Sequence, residues 1–196
     1  MEDVGEDMIS KLPESIIHHV LSLLPIKCAV STTVLSKTWK NQWVCVPVFD
    51  FRQWRSITHS PGTVVNVETS NANVLIRQKD TDKFMDFLDS TFFSNNNMST
   101  IQKFYLCCDI FFDAIRVREW ITGLIKRKVE ELMLTVNFPK ANPVPSDLLT
   151  CESPTALDID FVKQHVLEFP QAVSLPRLKK LRLSYVLFKD RAATQK

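Results

Sequence analysis

Hydrophobic positions between Leu12 and Trp43 recur at helical spacing, but they form two stripes where a surface helix normally needs one. Pro13 and Glu14 mark a helix start. A proline at the first helical position gives up an N–H that would lack a partner anyway, and a carboxylate in the first turn suits the helix dipole. Ile16, Val20, Leu23 and Leu24 form one stripe and Ile17, Leu21 and Leu24 the other, so well over half of the circumference is apolar. One stripe can face a local core; the second needs a cover from elsewhere. Pro25 ends this helix and restarts the chain, and Ile26, Ala29, Val30 and Val34 carry a second helix up to Leu35-Ser36. A third short helix is expected from Lys37 to Val44, with Trp39 and Trp43 one turn apart on one face. Chains below ~40 residues seldom bury enough surface to fold alone. The surplus of Ile, Leu and Trp therefore implies a core completed by another protein.

Beyond this unit the period changes. Val46 to Phe51 alternates and predicts a short strand. Residues 56–81 mix Ser, Asn and Thr around Pro61-Gly62 and read as a long loop, with room for a hairpin around Val64 to Val67. Asp82 is expected to cap a helix with Phe84, Phe87, Leu88 and Thr91-Phe92 on one face, ended by Ser94-Asn95-Asn96-Asn97. Ile101, Phe104 and Leu106 predict a strand. Asp113 opens another helix, with Val117, Trp120, Ile121 and Leu124 on one side and Lys126-Arg127-Lys128 closing it.

A repeat runs through the same region. Phe49-Asp50-Phe51, Phe104-Tyr105-Leu106, Leu132-Met133-Leu134, Leu157-Asp158-Ile159 and Leu181-Arg182-Leu183 each place two apolar side chains on one face of a strand. The last four begin 28, 25 and 24 residues apart, the spacing of leucine-rich repeats, in which one strand and a return segment make each coil. The return segments shorten from a full helix, to the proline-rich 139–151, to 167–176. Stacked coils of this kind form a curved parallel sheet over one continuous core.

Composition narrows the functional classes. The 196 residues are 45% hydrophobic and 23% charged with net charge +2, ordinary globular material for one or two domains. The scattered charges lack the clustered basic face that nucleic acid requires. Five cysteines without a CxxC spacing, behind an acidic N-terminus unlike a signal peptide, point to a reducing intracellular setting, cytoplasmic or nuclear. No apolar run approaches the ~18 to 20 residues that cross a bilayer, so no membrane role is expected.

Candidate chemistry is sparse. Cys107-Cys108 lies in an apolar segment where free cysteine acts mainly as a small hydrophobe. The adjacent His18 and His19 diverge by ~100° on a helix and have no nearby third ligand, which favours a solvated or partner-facing pair over a metal site. Three glycines in the whole chain leave no phosphate-cradling loop. Asp158 and Asp160 share the outward face of a strand and read as solvated. Lys126 to Lys128 suits a helix C-terminus and is too short for a phosphate track. No catalytic residue, metal site or cofactor is expected.

Leu12-Pro13-Glu14, the Ile/Leu pattern after it, Leu24-Pro25, Ala29-Val30, Leu35-Ser36-Lys37 and the two tryptophans resemble an F-box. The likeness is in particular to the large plant group that joins an F-box to leucine-rich repeats and often an FBD tail. Trp120-Ile121, Val129 to Leu132, Leu148 to Cys151 and Leu175 to Leu181 are similar to that group's repeats. The resemblance implies an α+β chain: a leader (1–8), a three-helix F-box (9–51), a linker loop (52–81) and a partial leucine-rich-repeat solenoid with a curved, mainly parallel sheet (82–196). It also implies docking on a Skp-class adaptor and, through it, a cullin-RING ubiquitin ligase, with the repeats holding a protein substrate and this chain catalysing nothing. Stripe position and family pattern together assign the adaptor interface to Leu12, Pro13, Ile17, Val20, Leu21, Leu24, Val30, Leu35 and Trp39.

The chain departs from the family at Thr38 and Gln42, where Arg and Leu are usual, and at Pro154. It also stops at Lys196, where members typically continue with more repeats. This short ending raises a second reading, a binder that occupies the adaptor without delivering a substrate. A third, a hydrolase using Cys107 or Cys108, requires a reactive thiol.

Overall fold

The computed structural model describes residues 9, 11–37, 39–40, 42–54, 71–93, 101–138, 142–167, 170 and 172–188. The expected leader, the hairpin around Val64 to Val67, the Ser94 to Asn97 helix end and Thr38 lie outside them. Helix α1 (Glu14–Ser22) starts directly after Pro13, and α2 (Ile26–Ser31) directly after Pro25. A 3-10 turn at Thr32–Val34 prolongs α2. The expected third helix does not form: within 37–44 the described residues show turns and a 3-10 segment, Gln42–Cys45. The two indoles are drawn to different partners, since the Trp39 Nε1 donates to the Ile9 carbonyl at 3.3 Å while Trp43 stacks on Phe87. Bulky aromatic residues also gain little from helical backbone.

Strand β1 (Val48–Asp50) falls where the alternation places it. The next element corrects the expectation. Helix α3 spans Asn71–Leu88 and widens into a π-helical turn at Asp89–Phe93, so the end of the supposed linker is helical. Asp82 lies inside α3 as an acceptor for Gln78 Nε2 at 2.9 Å, and does not cap it. The first half of this helix leaves Leu75 and Ile76 exposed and shows no apolar stripe. Tertiary contacts hold it instead: Thr81 is fully buried, and Gln78 reaches the Phe111 carbonyl at 3.4 Å.

Strand β2 (Lys103–Cys108) leads to α4 (Ala114–Lys126). Asp113 caps α4 as expected, its Oδ1 accepting the amides of Ile115 (2.7 Å) and Arg116 (3.3 Å). At the other end Lys128 N–H donates to Ile125 O and Val129 N–H to Leu124 O, closing a Schellman motif with Lys128 at φ 58. Glycine usually fills that left-handed position; a lysine there costs about 1 kcal/mol. Strands β3 (Glu131–Val136), β4 (Ala156–Leu167) and β5 (Lys180–Phe188) follow.

The five strands form one parallel sheet in chain order. Phe49, Phe104, Leu132, Leu157 and Leu181 stand in one row, and Leu106, Leu134, Ile159 and Leu183 in the next. The repeated triplets are thus in register, as the spacing predicts, and the α+β class holds. A single core runs from Ile17 and Leu21 through Phe49 and Phe104 to Leu157 and Phe161. Beyond Asp160 the ladder slips, with Asp160 opposite Ser184 but His165 opposite Val186. The intervening Tyr185 sits at φ 57, a left-handed conformation that a bulky residue adopts only under strain.

Candidate partner-binding face

The N-terminal helices sort their apolar residues into two populations. Ile17, Leu21, Ile26 and Ala29 turn inward, joined by Trp39 and Trp43. Polar ties fix the frame: His18 Nε2 lies 2.7 Å from Gln42 Oε1, and the Lys27 ammonium sits 5.8 Å from the centre of the Trp54 ring. Trp54 itself stacks on Phe87 (5.2 Å), which also receives Trp43 (5.5 Å). The helical unit therefore shares its core with α3.

The second population faces out. Leu23 is 72% exposed, Val34 85% and Leu35 55%, and Ile9, Ile16, Val20 and Leu24 are also open. Of the nine residues assigned to the interface from sequence, Pro13, Val20, Leu24 and Leu35 lie on this face. Leu12 and Val30 are half-buried against the core, and Ile17, Leu21 and Trp39 are inside it. Ile16, Leu23 and Val34 belong to the exposed face but were not among the nine. Ile16 and Leu23 stood in the stripe that Ile17 and Leu21 do not share, which was the available signal.

A second open surface is the outer face of the sheet. Lys103 Nζ meets Glu131 Oε1 at 2.9 Å, and Tyr105 donates to Glu131 Oε2 at 2.9 Å. The lysine's hydrogen bond, aided by the tyrosine, holds the Glu131 carboxyl below its usual range. Arg52 clasps Asp50 through Nε–Oδ1 (2.9 Å) and Nη2–Oδ2 (2.5 Å), and lies 4.9 Å from the Tyr105 ring centre. Burial pushes the Asp50 carboxyl up, but the hydrogen bonds and charge of Arg52 outweigh it and leave the group low. Asp158 is not simply solvated: its side chain is mostly covered and faces Arg182 at 4.0 Å.

Strand alternation splits the cysteine pair, Cys108 into the core and Cys107 onto the outer face. Shielding by sheet neighbours pushes the Cys107 thiol up, against the opposing Thr135 hydrogen bond and Arg52 charge. A raised thiol is a poor nucleophile at neutral pH. Among the described residues no group of three or more His, Cys, Asp or Glu is placed to hold a metal, and no helix is long and apolar enough to cross a membrane.

Two family matches divide the chain along these lines. Residues 9–50 match the F-box domain, and residues 117–194 match the family described as FBD-associated F-box protein At5g56370, LRR repeats. The chain thus joins an F-box match to a leucine-rich-repeat match. It is 32% identical over 186 residues to F-box/LRR-repeat protein At4g14103 of Arabidopsis thaliana, covering 95% of this chain and 44% of that protein. To F-box/FBD/LRR-repeat protein At1g78750 of the same plant it is 33% identical over 195 residues, covering 96% and 38%. The chain thus spans less than half the length of these curated relatives. No solved structure matches it.

Proposed function

We propose that this chain is a substrate receptor of a Skp-cullin-F-box type ubiquitin ligase. The exposed face of α1, α2 and the following turn binds a Skp-class adaptor, and the repeat sheet engages a protein target. Ubiquitin transfer belongs to the ligase's other subunits. The observation that carries this reading is that Val20, Leu23, Leu24, Val34 and Leu35 stay uncovered on a short helical unit whose own core is already filled. Several large apolar side chains left open on so small a unit mark a protein contact. Calorimetric titration of the purified chain with a purified Skp-class adaptor tests it: saturable one-to-one binding is expected, and no binding would remove the proposal. Ubiquitination assays with co-purified proteins then test target delivery separately.

A further inference from the structure

The short segments leading into the strands stack in strand order. The amides of Glu130 and Glu131 donate to the Gln102 carbonyl (3.0 and 2.8 Å), those of Thr155 and Ala156 to Glu130 (2.7 and 3.1 Å), and those of Lys179 and Lys180 to Thr155 (2.8 and 3.1 Å). The segments that lead into β3 and β5 are therefore two strand spacings apart, about 10 Å. This stacking joins two basic runs that are remote in sequence, one at the end of α4 and one where β5 begins.

Lys126, Lys128, Lys179 and Lys180 are all exposed on this rim, and among the described residues none has a carboxylate at ion-pair distance. The nearest carboxylates pair with other cations, Glu131 with Lys103 at 2.9 Å and Glu130 with Arg177 at 3.9 Å, although Glu131 also feels the charge of Lys180 two strands away in the same row. Lys128 adds an independent observation. It occupies the left-handed position of the Schellman turn, where glycine would be conformationally free. The helix dipole offsets part of the backbone cost of a cation there and leaves the ammonium group in solvent.

We propose that this rim, at the N-terminal ends of the strands, binds an acidic polypeptide segment. An extended chain sets alternate side chains about 7 Å apart on one face, so a short run of Asp and Glu can meet the lysines ahead of β3 and those at the start of β5 at once. A nucleic acid fits less well. Four lysines are too few for the long track of phosphate contacts that nucleic-acid binding draws on, and the described rim offers no exposed aromatic ring for bases to stack on.

The test is fluorescence anisotropy of a fluorescein-labelled decaglutamate peptide with the full chain. Binding is expected to weaken about three- to tenfold in each of Lys126→Gln/Lys128→Gln and Lys179→Gln/Lys180→Gln, and to fall steeply with added salt. Lys128→Gly is expected to raise the melting temperature while weakening the peptide, a divergence that damaged folding cannot mimic. Unchanged affinity in the quadruple glutamine variant would overturn the proposal. So would tighter binding of a ten-nucleotide single strand, or of phosphatidylserine vesicles, than of the peptide at equal salt.

Discussion

Trp43 and Phe87 stack with ring centroids 5.5 Å apart and planes 17° from parallel, which welds the end of the F-box to helix α3. Trp54 lies against the same phenylalanine and against Phe84. The short N-terminal helical unit thus completes its core within its own chain. Trp43→Ala removes a fully enclosed indole from this junction, and Trp39→Ala removes one tied to Ile9. Each is expected to cost about 3–5 kcal/mol of stability, read as a lower midpoint in urea unfolding. If Trp39→Ala kept the wild-type midpoint and lost only the adaptor, Trp39 would be an interface residue after all.

The exposed face predicts the opposite behaviour. Leu23→Asp and Val34→Asp replace side chains with little or no packing in the isolated chain, and surface changes of this kind usually shift stability by less than about 0.5 kcal/mol. Thermal melts should overlay the wild type. Adaptor binding in the same calorimetric titration should fall at least tenfold, because a charge would be driven into an apolar contact. Leu12→Ala with Pro13→Ala mixes both effects, since Leu12 packs on the core and Pro13 does not.

Asp89 ties α3 to α4. At the start of the π-helical turn its two oxygens accept from Arg116 Nη2 and Trp120 Nε1, while Asp86 takes a second contact from Arg116 at 2.9 Å. Trp120 is almost fully buried but Asp89 is partly open to water, so Asp89→Ala strips the indole N–H of an acceptor that solvent only partly replaces. The expected loss is about 1–2 kcal/mol. Asp89→Asn, which keeps an acceptor for Trp120 but not the charge facing Arg116, should lose less. Denaturant titration of the two variants separates hydrogen bond from ion pair.

Much of this architecture was legible because periodicity and burial agree. The triplets from Phe104 to Leu183 repeat at coil spacing, and their inward side chains fall in single rows across the sheet. Asp113 announced α4 because a carboxylate ahead of an apolar face has few other uses. The beginning of α3 was hidden: from Asn71 to Thr81 the chain shows its largest apolar residues, Leu75 and Ile76, to solvent, and what holds it arrives from Phe111 and its neighbours. The candidate face was half legible. Two stripes were visible on α1, but which of them faces inward depends on where Trp39 and Trp43 settle, and that is set by Ile9 and Phe87 at a distance.

The ion pairs on the outer face of the sheet give stability a defined pH dependence. Asp50 and Glu131 both titrate below the ordinary carboxylate range of about 4, the first through Arg52 and the second through Lys103 and Tyr105. A carboxyl with a lowered folded pKa binds its proton more readily in the unfolded chain. Its contribution is therefore complete above the ordinary range and disappears as pH falls through the folded value. Both pairs are partly open to water, so each contributes only a few tenths to ~1 kcal/mol. Between pH 6 and pH 2, wild type should lose more stability than Arg52→Gln or Lys103→Met, whose carboxyls return toward their usual values. Urea midpoints measured across that interval decide it, and parallel losses in all three proteins would show that neither cation holds its carboxylate in solution.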